Sequence, residues 1–293
     1  MLATLNLVLV HIESVINLSC LLISSLAFFS YLKRRSSSNF IGTLLLFIGT
    51  CIYYSAFHSF ASVSDCLLEY GIQVGHRNYA TSRLSAWFNV FNVLSNYFVY
   101  IGGIALAADR FFVMAFPLRY SHLRLSRILC IFAGFSWSAT VIPLVVATSV
   151  FPFTGGSPST QTFLKHIGTI YDVVVILEMS LHVVFGFQYR KFMRKIHSST
   201  GKSDAVKANY ITLVQIVSQT LLCLTPKLVH RVNIIFFNMK IFWMLIYATY
   251  YSFMFSLNVF VISAFTFFTL RKREKQMRTS VSVAQLSSAK TNK

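Results

Sequence analysis

Long apolar stretches recur along the chain, separated by shorter segments rich in polar and basic residues. Seven of them, at about 5–32, 40–63, 86–108, 127–150, 165–187, 209–231 and 241–268, match the roughly 20 mostly apolar residues that carry a helix across a bilayer. The second and fourth are the clearest, while the fifth and sixth carry polar residues within their length. In hydrocarbon every backbone polar group must be satisfied inside the protein, so segments of this length are read as helices. No period of 20–50 residues repeats, which argues against solenoids and duplicated transporter halves. The pattern predicts an all-α membrane protein: a seven-transmembrane helix bundle over residues 1–270, then a tail at 271–293.

The basic residues orient this bundle, because Lys and Arg concentrate in cytoplasmic loops. One set of alternate loops holds twenty of them: Lys33 to Arg35, four between Arg110 and Arg127, six between Arg190 and Lys207, and seven from Arg271 onward. The other set holds six: Arg77, Arg83, Lys165, Lys227, Arg231 and Lys240. The N-terminus is therefore expected outside and the C-terminus inside. The tail opens with Arg271-Lys272-Arg273-Glu274-Lys275, suited to anionic membrane lipids, and then becomes rich in Ser and Thr.

Composition supports the membrane reading and narrows the rest. The chain of 293 residues is 55% hydrophobic and only 12% charged, with 29 Phe. Soluble domains carry about a quarter charged residues, so too little polar surface is present to cover a water-facing globule. The net charge of +18 is scattered between apolar segments and forms no continuous basic stripe, which excludes a nucleic-acid partner. Five Cys stand apart with no metal-ligand spacing, and four of them lie in apolar runs as small buried hydrophobes. Cys66, in the predicted outer loop 64–85, has no evident partner. No metal or cofactor is expected. The N-terminus lacks the basic start and small-residue cleavage site of a signal peptide, so the first stretch is expected to be retained.

Polar side chains inside such stretches normally face the bundle interior. In the third, Asn89, Asn96, Gly103 and Arg110 fall seven residues apart on one inward face, with Asn92 beside them. The fifth carries Asp172 in its outer third, then Glu178 and His182 four apart and expected to interact. Lys227, His230 and Arg231, at the outer end of the sixth, are candidate partners for Asp172. Glu13 and His11 are placed near the outer interface. Gln215 and Gln219 form a further pair four apart, and Pro226 is expected to kink the sixth helix. Tyr247 and Tyr251 share a face of the seventh that is read as inward. The candidate ligand contacts are therefore Asn89, Asn92, Asn96, Asp172, Lys227, Tyr247 and Tyr251. For each Asn, and for Asp172, interhelical bonding is the competing role.

The third stretch ends in Asp109-Arg110-Phe111, and Pro117-Leu118 begins eight residues after Asp109. In this context the chain resembles the rhodopsin-like G-protein-coupled receptors, which carry Asp/Glu-Arg-Tyr at that point and Pro-Leu in the following loop. Trp137 stands where that family has a Trp in the fourth span. Cys223-Leu224-Thr225-Pro226 is similar to its Cys-Trp-x-Pro, with Leu224 in the Trp place, and Asn258 matches the Asn of its Asn-Pro-x-x-Tyr, with Val259 and Ile262 in place of Pro and Tyr. The resemblance covers the whole chain by topology and four short stretches by motif.

The departures narrow it further. The family's third-span disulfide Cys falls on Ser85, and no Cys lies in 151–164. The acid that grips amine ligands falls on Asn92, the retinal-binding Lys falls on Ser252, and the second span has no Asp for the family's sodium pocket. No acid of the sixth span is placed to clamp Arg110, the nearest being Asp204. This combination resembles the divergent nematode serpentine chemoreceptors, the bc class among them. The resemblance implies a chemosensory receptor of the plasma membrane, in a sensory cilium for that class, which binds a small-molecule ligand and activates a heterotrimeric G protein, alone or paired with a second receptor. It assigns the switch and coupling surface to Asp109, Arg110, Phe111, Pro117, Leu118, Pro226 and Asn258, and it implies that Arg110→Ala reaches the cell surface but cannot signal. The alternative is a transporter or channel for a small solute. An enzyme is not expected, since His58, His182, Glu178 and Asp172 fit no HExxH or GxSxG pattern.

Overall fold

The computed structural model describes residues 2–33, 42–73, 79–116, 125–150, 158–196, 204–226, 229 and 250–271. All of the secondary structure among them is helical: α1 (Leu2–Leu32), α2 (Gly42–Gln73), α3 (Tyr79–Ala115), α4 (Leu125–Val150), α5 (Pro158–Ile196), α6 (Asp204–Gln219) and α7 (Tyr250–Arg271). Pro158 opens α5, a position where its missing N–H costs nothing. Six of these helices are long and apolar enough to cross a membrane: those containing His11–Leu32, Gly42–Ala61, Leu94–Ala115, Leu125–Ile142, Val173–Arg194 and Tyr250–Arg271. Four of the six segments have 22 residues, about 33 Å of helix at 1.5 Å per residue.

The helices are inside out by the standard of a water-soluble protein. On α1 the exposed positions Val8, Val15, Leu22 and Phe29 are apolar and follow one another at heptad spacing. The buried positions of the same helix include Glu13, Asn17, Cys20 and Ser24. Apolar side chains outward and polar ones inward is the arrangement hydrocarbon demands. The chain is a multi-pass membrane protein.

The most enclosed helix is α3, with 67% of its apolar segment buried against 6% for α4. Packed on α2, α4, α5 and α6, it is the axis of the bundle, and α4 is a peripheral stave. Small side chains let the helices approach, as is usual in membranes. Ser24 Oγ of α1 donates to Ser263 Oγ of α7 at 2.8 Å, and Cys20 Sγ reaches the same hydroxyl at 3.4 Å. Tyr54, Tyr100 and Phe255 fill the centre, with ring centroids 5.1 Å apart for Tyr54–Phe255 and 5.4 Å for Tyr100–Phe255.

Two boundaries differ from the apolar pattern. The segment expected as an outer loop at 64–85 is helical up to Gln73 and again from Tyr79. Hydropathy locates where a helix leaves hydrocarbon, and backbone hydrogen bonds persist beyond that point. The stretch 209–231 is also not a simple span. The α-helical part of α6 has 16 residues, about 24 Å, and then widens into a π-helical turn at Thr220–Leu224. There the Thr225 N–H donates to the Thr220 carbonyl five residues back, and Thr225 Oγ1 donates to it as well at 2.9 Å. Pro226 follows, with no N–H to give and a ring that would crowd the carbonyl of Leu222. A widened turn of this kind, next to a proline, is a place where a helix can bend.

Candidate functional site

A buried polar seam runs along α3, where it meets polar side chains of α2, α5, α6 and α7. At the C-terminal end of α3, Asp109 is fully buried and Arg110 is 4% exposed. One oxygen of the carboxylate, Oδ2, gathers three donors. Thr43 Oγ1 of α2 donates at 2.9 Å, Arg110 Nε at 3.1 Å, and Arg110 Nη2 closes the ion pair. Adjacent residues on a helix point in different directions, so Arg110 folds back along its own helix to reach Asp109. Phe111 is half-buried beside Phe112.

Two turns further along α3 lies Gly103, and its missing side chain is the reason α5 and α6 can close. A Cβ placed there would run into Glu178 Oε1 and would stand 2.7 Å from Gln215 Nε2. Glu178 is 2% exposed and accepts a hydrogen bond from Gln219 Nε2 at 2.8 Å. His182 Nε2 lies 3.8 Å from the other carboxylate oxygen, so the two side chains share a face as their spacing predicts, at a distance beyond a hydrogen bond. Beside them is a cavity of about 20 Å³, lined by Tyr100, Val175, Glu178, Met179, His182, Gln219, Thr220 and Cys223, room for about one water.

The residues next to the π turn latch α6 on both sides. Gln219 holds Glu178 of α5, and its neighbour Ser218 donates to Asn258 Oδ1 of α7 at 2.7 Å. Asn258 is fully buried. Moving the Pro226 end of α6 therefore strains bonds to two other helices at once.

A third cluster joins α1, α2 and α7. Glu13 Oε1 accepts from Ser252 Oγ at 2.6 Å and from Ser256 Oγ at 2.9 Å, with His58 Nδ1 at 3.5 Å. The His58 ring stacks on Tyr54 at 4.0 Å, and the Tyr54 hydroxyl meets Ser256 Oγ at 2.9 Å. Nearby, the hydroxyls of Tyr100 and Tyr251 meet at 2.8 Å across α3 and α7.

Compared with known proteins, the chain matches no protein-family model and no curated protein. The site must be read from its own geometry.

Of the residues singled out in the sequence, Asp109, Arg110, Gly103, Glu178, His182 and Gln219 come together along α3, and Tyr251 turns inward as expected. Asn96 is half-buried on the face of α3 that carries Tyr100 one turn on. Pro226 is half-buried at the end of the π turn. Pro117, Leu118, Lys227 and Tyr247 lie outside the described residues, as do the side chains of Asn89, Asn92 and Asp172. Among the described residues no three His, Cys, Asp or Glu side chains stand close enough to hold a metal ion.

Glu13, near the start of the first membrane-crossing segment, turns into the bundle. It is 6% exposed and bonded to α7, while His11 is exposed. The missed signal is the stripe Glu13, Asn17, Cys20, Ser24, Ala27 and Tyr31, polar or small at helical spacing and buried throughout. His58 and Tyr54 follow the same logic on α2, four residues apart and both buried.

The tyrosine pair offers a direct measurement of one link. Tyr100→Phe and Tyr251→Phe each remove one side of the 2.8 Å contact. In a double-mutant cycle on the purified protein, the coupling energy is expected near 0.6 kcal/mol, the average for hydrogen bonds within membranes. A coupling of zero would mean that the two hydroxyls bond elsewhere.

Proposed function

We propose that the chain is a seven-span receptor of the rhodopsin-like kind, which takes a small-molecule signal on its N-terminal side and activates a heterotrimeric G protein on the other. In this reading the 204–226 segment is the sixth span, the N-terminus is extracellular and the protein works in the plasma membrane as a chemosensor.

The observation that carries the proposal is the closed clamp at the end of α3. An arginine buried at a helix terminus and paired to its own neighbour is a stored donor set. Both members of the ion pair belong to α3, with Thr43 of α2 as a further donor to Asp109, and the freed guanidinium can be offered to a partner's carbonyls. The two latches on α6 supply the coupling. A ligand that shifts the Pro226 end of α6 acts on Gln219–Glu178 and Ser218–Asn258 together, and the inner ends of α5 and α6 part beside Arg110. The ligand drives this only as far as it binds the open state better than the closed one. Pro117 and Leu118 form the contact offered to the G protein.

Asp109→Asn tests the proposal. A neutral amide weakens the charge-assisted bonds to Arg110 by about 1.5–3 kcal/mol, enough for roughly a tenfold shift toward the open state. In nanodiscs with a panel of purified G proteins, this variant is expected to catalyse ligand-independent nucleotide exchange about tenfold above wild type. Wild-type exchange should rise when the active compound from a small-molecule screen is added. Failure of both proteins to accelerate exchange on every G protein, with a ligand-gated current in liposomes containing this protein alone, would replace the receptor by a channel.

A further inference from the structure

We propose that the C-terminal end of α5 is a binding site for an acidic phospholipid, with acyl chains along the apolar face of the helix and the phosphate held by Arg190, Lys191 and Arg194. The inference needs a membrane around the chain and nothing of the receptor reading.

The inner half of α5 has two opposite faces. Glu178, His182 and Phe185 are buried and belong to the face turned into the bundle. Phe187 lies on the other side of the helix from Glu178 and is 74% exposed. Within about 60° of Phe187 around the helix axis stand Ile176, Val183 and Val184, all apolar and exposed. The same sector then holds Arg190, Lys191 and Arg194, exposed as well. The face changes character once, between Phe187 and Arg190, over about 4.5 Å of helix. From Ile176 to Phe187 the apolar part runs about 17 Å, close to the ~15 Å of hydrocarbon in one leaflet. The cations therefore begin where one leaflet ends.

That order fits an amphiphile with a negative head. A soluble phosphate offers nothing to the apolar half of the face. A protein partner approaching from water reaches the basic half alone. A phospholipid meets both, and the long stems of Arg and Lys let their charged heads reach back to its phosphate.

Nothing nearby answers these charges. No acidic residue occurs between Glu178 and Asp204, and Glu178 faces the other way, bonded to Gln219 of α6. Among the described residues none of the three basic side chains has an ion-pair partner. The carbonyl end of a helix favours a cation in its last turn, which accounts for Arg194 in a helix that ends at Ile196. Arg190 and Lys191 precede that turn and need another counter-charge. The acidic lipid supplies it.

Native mass spectrometry of the full chain in detergent, titrated with single lipids, tests the site. Phosphatidylglycerol carries the net negative charge that phosphatidylcholine lacks, and its first molecule is expected to bind at least about tenfold more tightly. Arg190→Gln, Lys191→Gln and Arg194→Gln should each weaken phosphatidylglycerol about fivefold and leave phosphatidylcholine unchanged. The triple variant should bind the two lipids equally. Phe187→Ser should weaken both. Arg127→Gln, at an exposed basic position of α4, is the control and should change neither. All five substituted positions are exposed, so the fold is not at stake. Glycerophosphoglycerol, the same head without acyl chains, should fail to displace the lipid; displacement would make this a site for free phosphates and overturn the proposal. An equal loss in Arg127→Gln would reduce the effect to the general charge of the rim and overturn it too. So would equal binding of the two lipids by the unsubstituted chain, which would leave this surface to a protein partner.

Discussion

Truncating Arg110 to Ala is expected to lower the unfolding free energy of the purified protein by about 3–5 kcal/mol, the cost of leaving one member of a buried ion pair alone. Asp109 is fully buried and shares its Oδ2 between the guanidinium and Thr43. With Arg110 gone, the bond from Thr43 Oγ1 to Oδ2 is neutral, and a single neutral hydrogen bond contributes only about 1 kcal/mol. The sequence motif alone implies that Arg110→Ala reaches the cell surface and merely fails to signal. Burial changes that expectation, because the loss falls on folding first. Adding Asp109→Asn to the same chain removes the stranded charge and should restore most of the stability. Thr43→Val, which takes away this donor from α2, should cost about 1 kcal/mol. Chemical or thermal unfolding in detergent distinguishes the cases. If Arg110→Ala and Asp109→Asn/Arg110→Ala lose equal stability, the pair is not what holds this end of α3.

The helical, membrane-embedded character of the chain was legible in its residues because hydrocarbon imposes a length and a polarity that nothing else mimics. The stripe on α3 was legible for a related reason. Asn96, Gly103 and Arg110 share one face, and a helix in lipid has few other places for such residues. Two features were not legible, and each has a physical cause. Glu13 looks like an interfacial acid because its position along the helix says how deep it lies and nothing about what faces it. Ser252 and Ser256 lie more than 200 residues away in the chain, and small hydroxyls are too common in membrane helices to mark themselves. The widening of α6 was only half legible. Pro226 announces a break, but the π turn is placed by Thr225, which satisfies the Thr220 carbonyl twice. Side chains that bond their own backbone set such details, and hydropathy is blind to them.

Glycine supplies the second large effect. Gly103→Ala is expected to destabilise the protein by about 1–3 kcal/mol, the usual cost of overpacking, although alanine is the better helix former. The added methyl lands on Glu178 Oε1 and Gln215 Nε2. Both are the ends of flexible side chains, so the helix backbones need not move, but the two respond differently. Gln215 has no hydrogen-bond partner among the described residues and can turn away. Glu178 cannot turn without straining the bond from Gln219 that ties α5 to α6. The loss in Gly103→Ala should therefore shrink once Gln219→Ala has already broken that bond, and the two variants should be non-additive. Two other helical glycines are internal controls. A Cβ at Gly134 or Gly186 meets nothing within 4 Å, so Gly134→Ala and Gly186→Ala should be neutral or stabilising by up to about 1 kcal/mol. Gly103→Leu, four carbons where one already collides, is expected to prevent α3 from closing on α5 and α6, read as loss of monodisperse protein. Equal behaviour of Gly103→Ala and Gly134→Ala in a melting series would show that the contact of α3 with Glu178 has no part in holding the bundle together. A selective loss at Gly103 would place the Glu178–Gln219 bond among the contacts that keep α6 in position.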